Sequence, residues 1–215
     1  MDEPVAVKDT RLLGPREIEA RSLQIIESEL KTALAEDVRP VVLRVIHATA
    51  DFSFAENLRF TPGVVEEARS LLRRGATVVT DTNMALSGIS RKALERLGAS
   101  AVCYMADEGV AAEAQRLGKT RAAVSAERAA RLPGAKLLVC GNAPTFLFSL
   151  LEQRSLLGDA VIVGVPVGFV NVVEAKQLLW ESGLPAIVAM GRRGGSGVAA
   201  AIVNALLYGI EGVRP

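Results

Sequence analysis

Residues 136–182 read KLLVCGNAPTFLFSLLEQRSLLGDAVIVGVPVGFVNVVEAKQLLWES, and this stretch decides the fold. It holds two short apolar runs, KLLVC and AVIVG. Each is followed by a turn rich in Gly, Pro or Asn and then by a helix-length segment, APTFLFSLLEQ and NVVEAKQLLWES. A continuous apolar run of this length marks a strand covered on both faces. Strand and helix alternating along the chain imply a parallel sheet with right-handed crossovers.

The same unit repeats outward in both directions. Upstream, ATVVTDT and SAVCYM are short buried strands, and downstream AIVAMG is the last one. Thr61-Pro62 opens a helix whose stripe is Val64, Val65, Ala68, Leu71 and Leu72, with Gly75 as its stop. Ser90 is placed to cap RKALERL, two alanine-rich helices fill about 109–132 around Gly118, and GGSGVAAAIVNALLYGI is the final helix. The fold class predicted is α/β, a three-layer α/β/α sandwich with a mostly parallel sheet of about five strands. Periodicity does not specify the strand order.

Residues 1–14 read as an N-terminal arm and 15–215 as one α/β domain. From Pro15 the pattern is helical, with Ile18, Ser22, Ile25, Ile26, Leu30 and Ala33 at helical spacing and Arg21 beside Ser22. The segment RPVVLRVIHATADF (39–52) supports two readings. Period two puts Val41, Leu43, Val45 and His47 on one strand face. Period 3.6 makes a stripe of Val41, Val42, Val45, Ile46 and Thr49, leaving Arg44, His47 and Asp51 along another side. Arg44 interrupts the run a buried parallel strand needs, so a helix is predicted.

Composition removes several functions. Half of the 215 residues are hydrophobic and mean hydropathy is +0.29, ample for a core. The 25 Lys and Arg nearly cancel the 24 Asp and Glu, and aromatics are 4%, so neither nucleic acid nor an anionic membrane surface is an expected partner. Cys103 and Cys140 form no CxxC motif, and His47 is the only histidine, so no metal site is expected. No uncharged apolar run reaches roughly 18 residues, and the first residues carry charges instead of an apolar signal core. A cytoplasmic location is the expectation.

Ligands of open parallel sheets bind beyond the carboxyl ends of the strands. Four such ends are polar or glycine-rich here: TDTNMALSG, CGNAP, GVPVGFVN and GRRGGSG. Turn chemistry alone explains any one of them, but four on one edge favour a pocket. The most informative is Gly191–Gly197, with close-approach backbone, two guanidinium groups and a helix start. That combination suits an anion, carboxylate as well as phosphate. It matches neither GxxxxGK[ST] nor GxGxxG, and Ser196 is not in a GxSxG elbow. Taken alone, a single histidine is more often structural than catalytic, and Arg44 and Asp51 could either orient His47 or share a solvated face with it. Arg121 opens a helix, a poor place for a cation on dipole grounds, which points to a ligand or partner.

Together EIEARSLQII, RVIHATADF, TDTNMALSGI, KTRAAVSAERAARLPG, GNAPTFLFSLLE, VGVPVGFVNVVEAKQLL and GRRGGSGVAAAIVNALL resemble the precorrin-8X (cobalt-precorrin-8) methylmutase family of cobalamin biosynthesis, over nearly all of residues 15–207. The resemblance implies an isomerase without cofactors that moves a methyl group from C-11 to C-12 of a corrin-type macrocycle, giving hydrogenobyrinate or its cobalt form. It implies an α/β/α homodimer with the site near the subunit interface and a tetrapyrrole substrate; a ligand so large and multivalent would suit tight retention of product and hand-over to the next pathway enzyme. By the same resemblance His47 is the catalytic histidine, while Arg21, Ser22 and Arg121 contact substrate. Asp81, Asn142, Gly191 and Arg192 fall on further motif positions of the binding site. IHATADF, TDTNMALSGI and VGFVNVVEAK look closer to the cobalt-containing branch. A non-catalytic corrinoid carrier would need the same anion contacts but not His47.

Overall fold

The computed structural model describes residues 14–213, apart from the side chains of Pro15 and Arg16. Of the expected arm, residues 1–13 lie outside the described residues. Helices α1 (Pro15–Glu29), α2 (Arg39–Thr49) and α3 (Phe54–Asn57) come first, then β1 (Leu58–Phe60), α4 (Val64–Arg73) and β2 (Thr77–Thr80). They are followed by α5 (Asn83–Gly88), α6 (Arg91–Arg96), β3 (Ser100–Cys103), α7 (Glu108–Leu117), α8 (Arg121–Arg131) and β4 (Lys136–Cys140). The last third is α9 (Pro144–Glu152), β5 (Ala160–Gly164), α10 (Val172–Glu181), β6 (Ala186–Ala189) and α11 (Ser196–Tyr208).

The strands form one sheet in the order β1-β6-β5-β4-β2-β3. The five expected strands are mutually parallel. The sixth, β1, runs antiparallel on the edge beside β6, pairing Leu58 with Ala189 and Phe60 with Ile187. Three residues are too few to register as a period, which is why the sequence pattern misses it.

Alternation sorts the side chains between two layers. Val79, Leu138, Ile162 and Ala186 are register partners across four strands and pack in one core with Phe146 and Leu147 of α9, the alanines of α8 and Leu179 of α10. Val78, Leu137, Val139, Val161, Val163 and Ile187 face the other core, filled by α2, α4 and α11. Helix α11 is apolar nearly all round and lies buried in that layer. A Cβ on Gly88 would stand 2.8 Å from Ala200 Cβ, so the small residues of α5 and α11 serve close packing within the chain.

The ambiguous segment 39–52 is a helix, with Val41, Val42, Val45 and Ile46 at most 1% exposed. Ala50 takes a left-handed conformation (φ 51°) and ends it. Ser90 caps α6 through Ala93 N–H, and Thr120 caps α8 through Ala123 N–H. Among the described residues no helix is long and apolar enough to cross a membrane.

Candidate active site at the carboxyl edge of the sheet

Strand order places a topological switch between β2 and β4. The chain leaves β2 for edge strand β3, then returns on the other side through β4, β5 and β6. Such a switch opens a crevice beyond the strand ends. Asp81, the residue after β2, is fully buried there. Its carboxylate accepts the backbone N–H groups of Gly141 (2.8 Å), Asn142 (2.7 Å) and Ala143 (2.7 Å), the turn after β4. Charge-assisted bonds of this kind are the strong ones. Asp81 therefore acts on the turn that carries Asn142 and has no face turned to solvent.

The loop between β6 and α11 is held still more closely. Lys176, on α10, is 0% exposed, and its Nζ donates to the carbonyls of Gly191 (2.9 Å) and Arg193 (2.7 Å). Gly168 N–H donates to the Arg192 carbonyl at 3.2 Å, and Gly195 N–H donates to Val165 O at 2.8 Å. At Gly194 (φ 156°) an added Cβ would fall 2.1 Å from Val165 O, so only glycine lets this loop lie on the β5–α10 turn. Gly141 approaches the start of α11 in the same way, and the hydroxyls of Thr82 and Ser196 lie 2.8 Å apart. The turns after β2, β4, β5 and β6 thus form one interlocked rim.

Burial pushes the Lys176 ammonium down to about 8, against a smaller opposing effect of the Cys140 sulfur. Burial first, then the neighbouring Asp81 charge, pushes the Cys140 thiol well above its ordinary range, so it stays a neutral thiol.

The two arginines of the loop do different things. Arg192 is exposed, with its guanidinium 5.3 Å from the centre of the Phe169 ring. Arg193 reaches the loop after α2 instead: its Nη1 donates to both Asp51 oxygens (2.8 and 2.6 Å) and to the Ser53 hydroxyl. The Ser53 hydroxyl, with its backbone N–H and Arg193 adding to it against burial, holds the Asp51 carboxyl below the usual carboxylate range. This bridge ties the end of the helix carrying His47 to the anion loop.

His47 itself is exposed in the last turn of α2 and has no hydrogen-bond or ionic partner among the described residues. Neither suggested neighbour orients it. Arg44 pairs with Glu19 at 2.6 Å and lies over the Tyr208 ring, and Asp51 is taken by Arg193. Arg21 is exposed on α1, with Ser22 bonded back to Ile18 O at 2.8 Å. Ile18, Arg21, Ser22 and Ile25 share one helix face, and both isoleucines are about half exposed. Arg121 is exposed at the other end of the rim, where Nη1 donates to Met105 O beyond β3 at 3.4 Å. Among the described residues no hydrogen bond or ion pair joins Arg121 to the anion loop.

Sequence reasoning passed over three apolar side chains on this rim. Phe169 is 80% exposed and Val170 76%, both on the turn after β5, and Met84, in the first turn of α5 after β2, is 73% exposed. Large apolar groups this open, beside an arginine and a glycine loop, mark a binding surface. The signal was present in the GVPVGFVN turn, where hydrophobic residues occupy a loop.

The sequence model of precorrin-8X methylmutase matches residues 17–209 of the chain. The chain belongs to the precorrin-8X methylmutase family. It is similar to a cobalt-precorrin-8 methylmutase of Salmonella typhimurium, 44% identical over 202 residues that cover 90% of this chain and 95% of that protein. It is also similar to a precorrin-8X methylmutase of Pseudomonas aeruginosa, 38% identical over 86% of this chain and 91% of that one. The crystal structure of a precorrin-8X methylmutase from Thermus thermophilus superposes with a TM-score of 0.79 at 36% identity, covering 88% of this chain and 95% of that chain. The precorrin-8X methylmutase motifs anticipated from sequence are therefore the rim itself: GNAPT is the turn held by Asp81, G-x-PVGFV carries the exposed Phe169 and Val170, and GRRGGS is the loop held by Lys176.

Proposed function

We propose that this methylmutase moves the methyl group from C-11 to C-12 of cobalt-precorrin-8, an isomerisation within cobalamin biosynthesis, with precorrin-8X as the metal-free counterpart. The observation that carries the reading is the Arg193–Asp51 bridge, which joins the helix of the only histidine to the anion loop of the rim. The substrate is a macrocycle with an apolar face and many acetate and propionate arms. Phe169, Val170 and Met84 offer an apolar platform for such a ring, and Arg192 with the loop backbone offers donors for its carboxylates. The family and the relatives above are named for the methylmutase reaction, so the carrier reading is set aside.

The migration is intramolecular: the C-11–methyl bond breaks, the C-12–methyl bond forms, and no atom enters or leaves. The protein has to hold the ring and polarise it. His47, exposed and without a side-chain partner among the described residues, is placed to donate to a ring nitrogen near the migration site and stabilise the charge that develops there. Binding of the arms falls to Arg21, Ser22, Arg121, Arg192 and the Asn142 and Gly191 turns, with Asp81 as the fixed support of the Asn142 turn.

The reading includes a homodimer. Exposed Ile18 and Ile25 flank Arg21 and Ser22, and among the described residues Arg121 is exposed with no bond to the anion loop of its own chain. A second copy covering the apolar rim would supply the missing arginine and bury that surface. Mixing inactive His47→Ala and Arg121→Ala proteins and allowing exchange should then restore about a quarter of wild-type activity, because half the sites of each heterodimer are intact. No recovery would put both residues in the same chain's site. A large, multivalent product held by such a site also suits direct transfer to the next enzyme of the sequence.

The activity is tested by anaerobic absorption time courses of the purified protein with cobalt-precorrin-8 and with precorrin-8X. Conversion to cobyrinate or hydrogenobyrinate is expected, faster for the cobalt substrate. Binding of both without conversion would return the carrier to consideration.

A further inference from the structure

Lysine at position 176 is out of place by composition and in place by geometry. Val172, Ala175, Lys176 and Leu179 are the buried positions of α10, so the lysine takes a core site of an amphipathic helix. A buried ammonium without a carboxylate is costly and needs a reason. Among the described residues no acidic group pairs with it, and its acceptors are the Gly191 and Arg193 carbonyls.

Those two bonds dictate what the loop shows on its other side. All peptide bonds described are trans, and in a trans unit the N–H points opposite to the C=O of the preceding residue. With the Gly191 and Arg193 carbonyls turned down onto Lys176, the N–H groups of Arg192 and Gly194 point away from it. Neither has an acceptor among the described residues. The Arg192 guanidinium stands beside them at the Phe169 ring.

We propose that Lys176 is the positioning residue of the anion loop: it holds two carbonyls inward so that the Arg192 and Gly194 N–H groups form a paired donor for one carboxylate arm of the macrocycle. The inference rests on the tetrapyrrole reading above and adds to it a proton linkage. A neutral amine keeps two donors but loses the charge that fixes two carbonyls at once, and the positive field under the bound carboxylate goes with it. The bound anion therefore favours the ammonium, and binding takes up a proton wherever free Lys176 is partly neutral.

The groups facing Lys176 do not blur this. Cys140 of β4 stays neutral, and β6 contributes no titratable side chain. Asp81 lies beyond the thiol and is occupied by the 141–143 turn; Arg192 and Arg193 belong to the loop itself, and Glu152 ends α9.

The probe is hydrogenobyrinate, whose carboxylates are ionised throughout the range used. Its dissociation constant for the wild-type protein should rise about tenfold between pH 7 and pH 9, in proportion to the shrinking ammonium fraction. Fold stability should move the opposite way. Lys176 titrates at about 8 in the folded chain against 10.5 in a free lysine, so the unfolded state binds more protons in that window and this group's contribution to stability rises with pH. In Lys176→Met the weakened binding should be flat with pH. Lysine carbon-13 NMR of the wild-type protein needs no variant: the Lys176 midpoint near 8 should move upward when hydrogenobyrinate binds. An unchanged midpoint, or a wild-type pH profile retained in Lys176→Met, overturns the proposal while leaving the tetrapyrrole reading intact. Failure of hydrogenobyrinate to bind at any pH overturns the reading on which it rests.

Discussion

The rim differs between its centre and its two flanks. At the centre, the turns after β2, β4, β5 and β6 are fixed by buried donors and acceptors: Asp81 under residues 141–143, Lys176 under 191–193, and Gly194 pressed on Val165. At the flanks, Arg21 on α1 and Arg121 on α8 are exposed, and Arg121 donates to Met105 O at 3.4 Å. The centre is built from bonds within the chain, while the flanks present open cations. Preorganised donors lower the cost of binding a polyanion.

Substitutions can break that contrast, beginning where the effect is largest. Asp81→Ala takes the acceptor from three backbone N–H groups, one buried and two partly buried, and should cost about 3–5 kcal/mol, measured by urea unfolding. A loss below 1 kcal/mol would mean that the centre is not held as described. Gly194→Ala should cost about 2 kcal/mol through strain and the clash with Val165 O, and should weaken corrin binding at least tenfold, read by titration.

Asp51→Ala sharpens the contrast, because its bridge to Arg193 is partly exposed. Stability should change by no more than about 1 kcal/mol, while KM rises several-fold as His47's helix loses its tie to the loop. The Asp51 carboxyl titrates below its ordinary value, so the bridge persists above that ordinary value and is lost as pH falls through the lowered one. Arg21→Ala is the smallest: unfolding midpoints should not move, and only KM should increase.

Much of this was legible in the sequence, for physical reasons that differ by element. The parallel strands announce themselves as apolar runs, and the helix at 39–49 follows from the single arginine that a buried strand would not accept. The glycine loop could be read as a candidate anion site because glycine and arginine together suggest close backbone and charge. What each arginine does was not, since that depends on Asp51, 142 positions away in the chain. Asp81 illustrates the same limit: as a polar residue ending a strand it resembles a ligand contact, and only the fold shows its carboxylate facing the turn after β4. Lys176 was available to a stricter reading, because it sits on the apolar stripe of its own helix. β1 carried too little sequence to read, and the switch between β2 and β4 that opens the crevice depends on strand order, which no periodicity encodes.

His47, exposed and without a side-chain partner among the described residues, is proposed to perform chemistry on a ring held by the rim. The most direct test is an anaerobic single-turnover comparison of wild-type and His47→Ala proteins with cobalt-precorrin-8, with binding measured on the same samples. The account predicts binding within a few-fold of wild type and a rate of conversion lower by about 10²–10⁴. Conversion at the wild-type rate would contradict it.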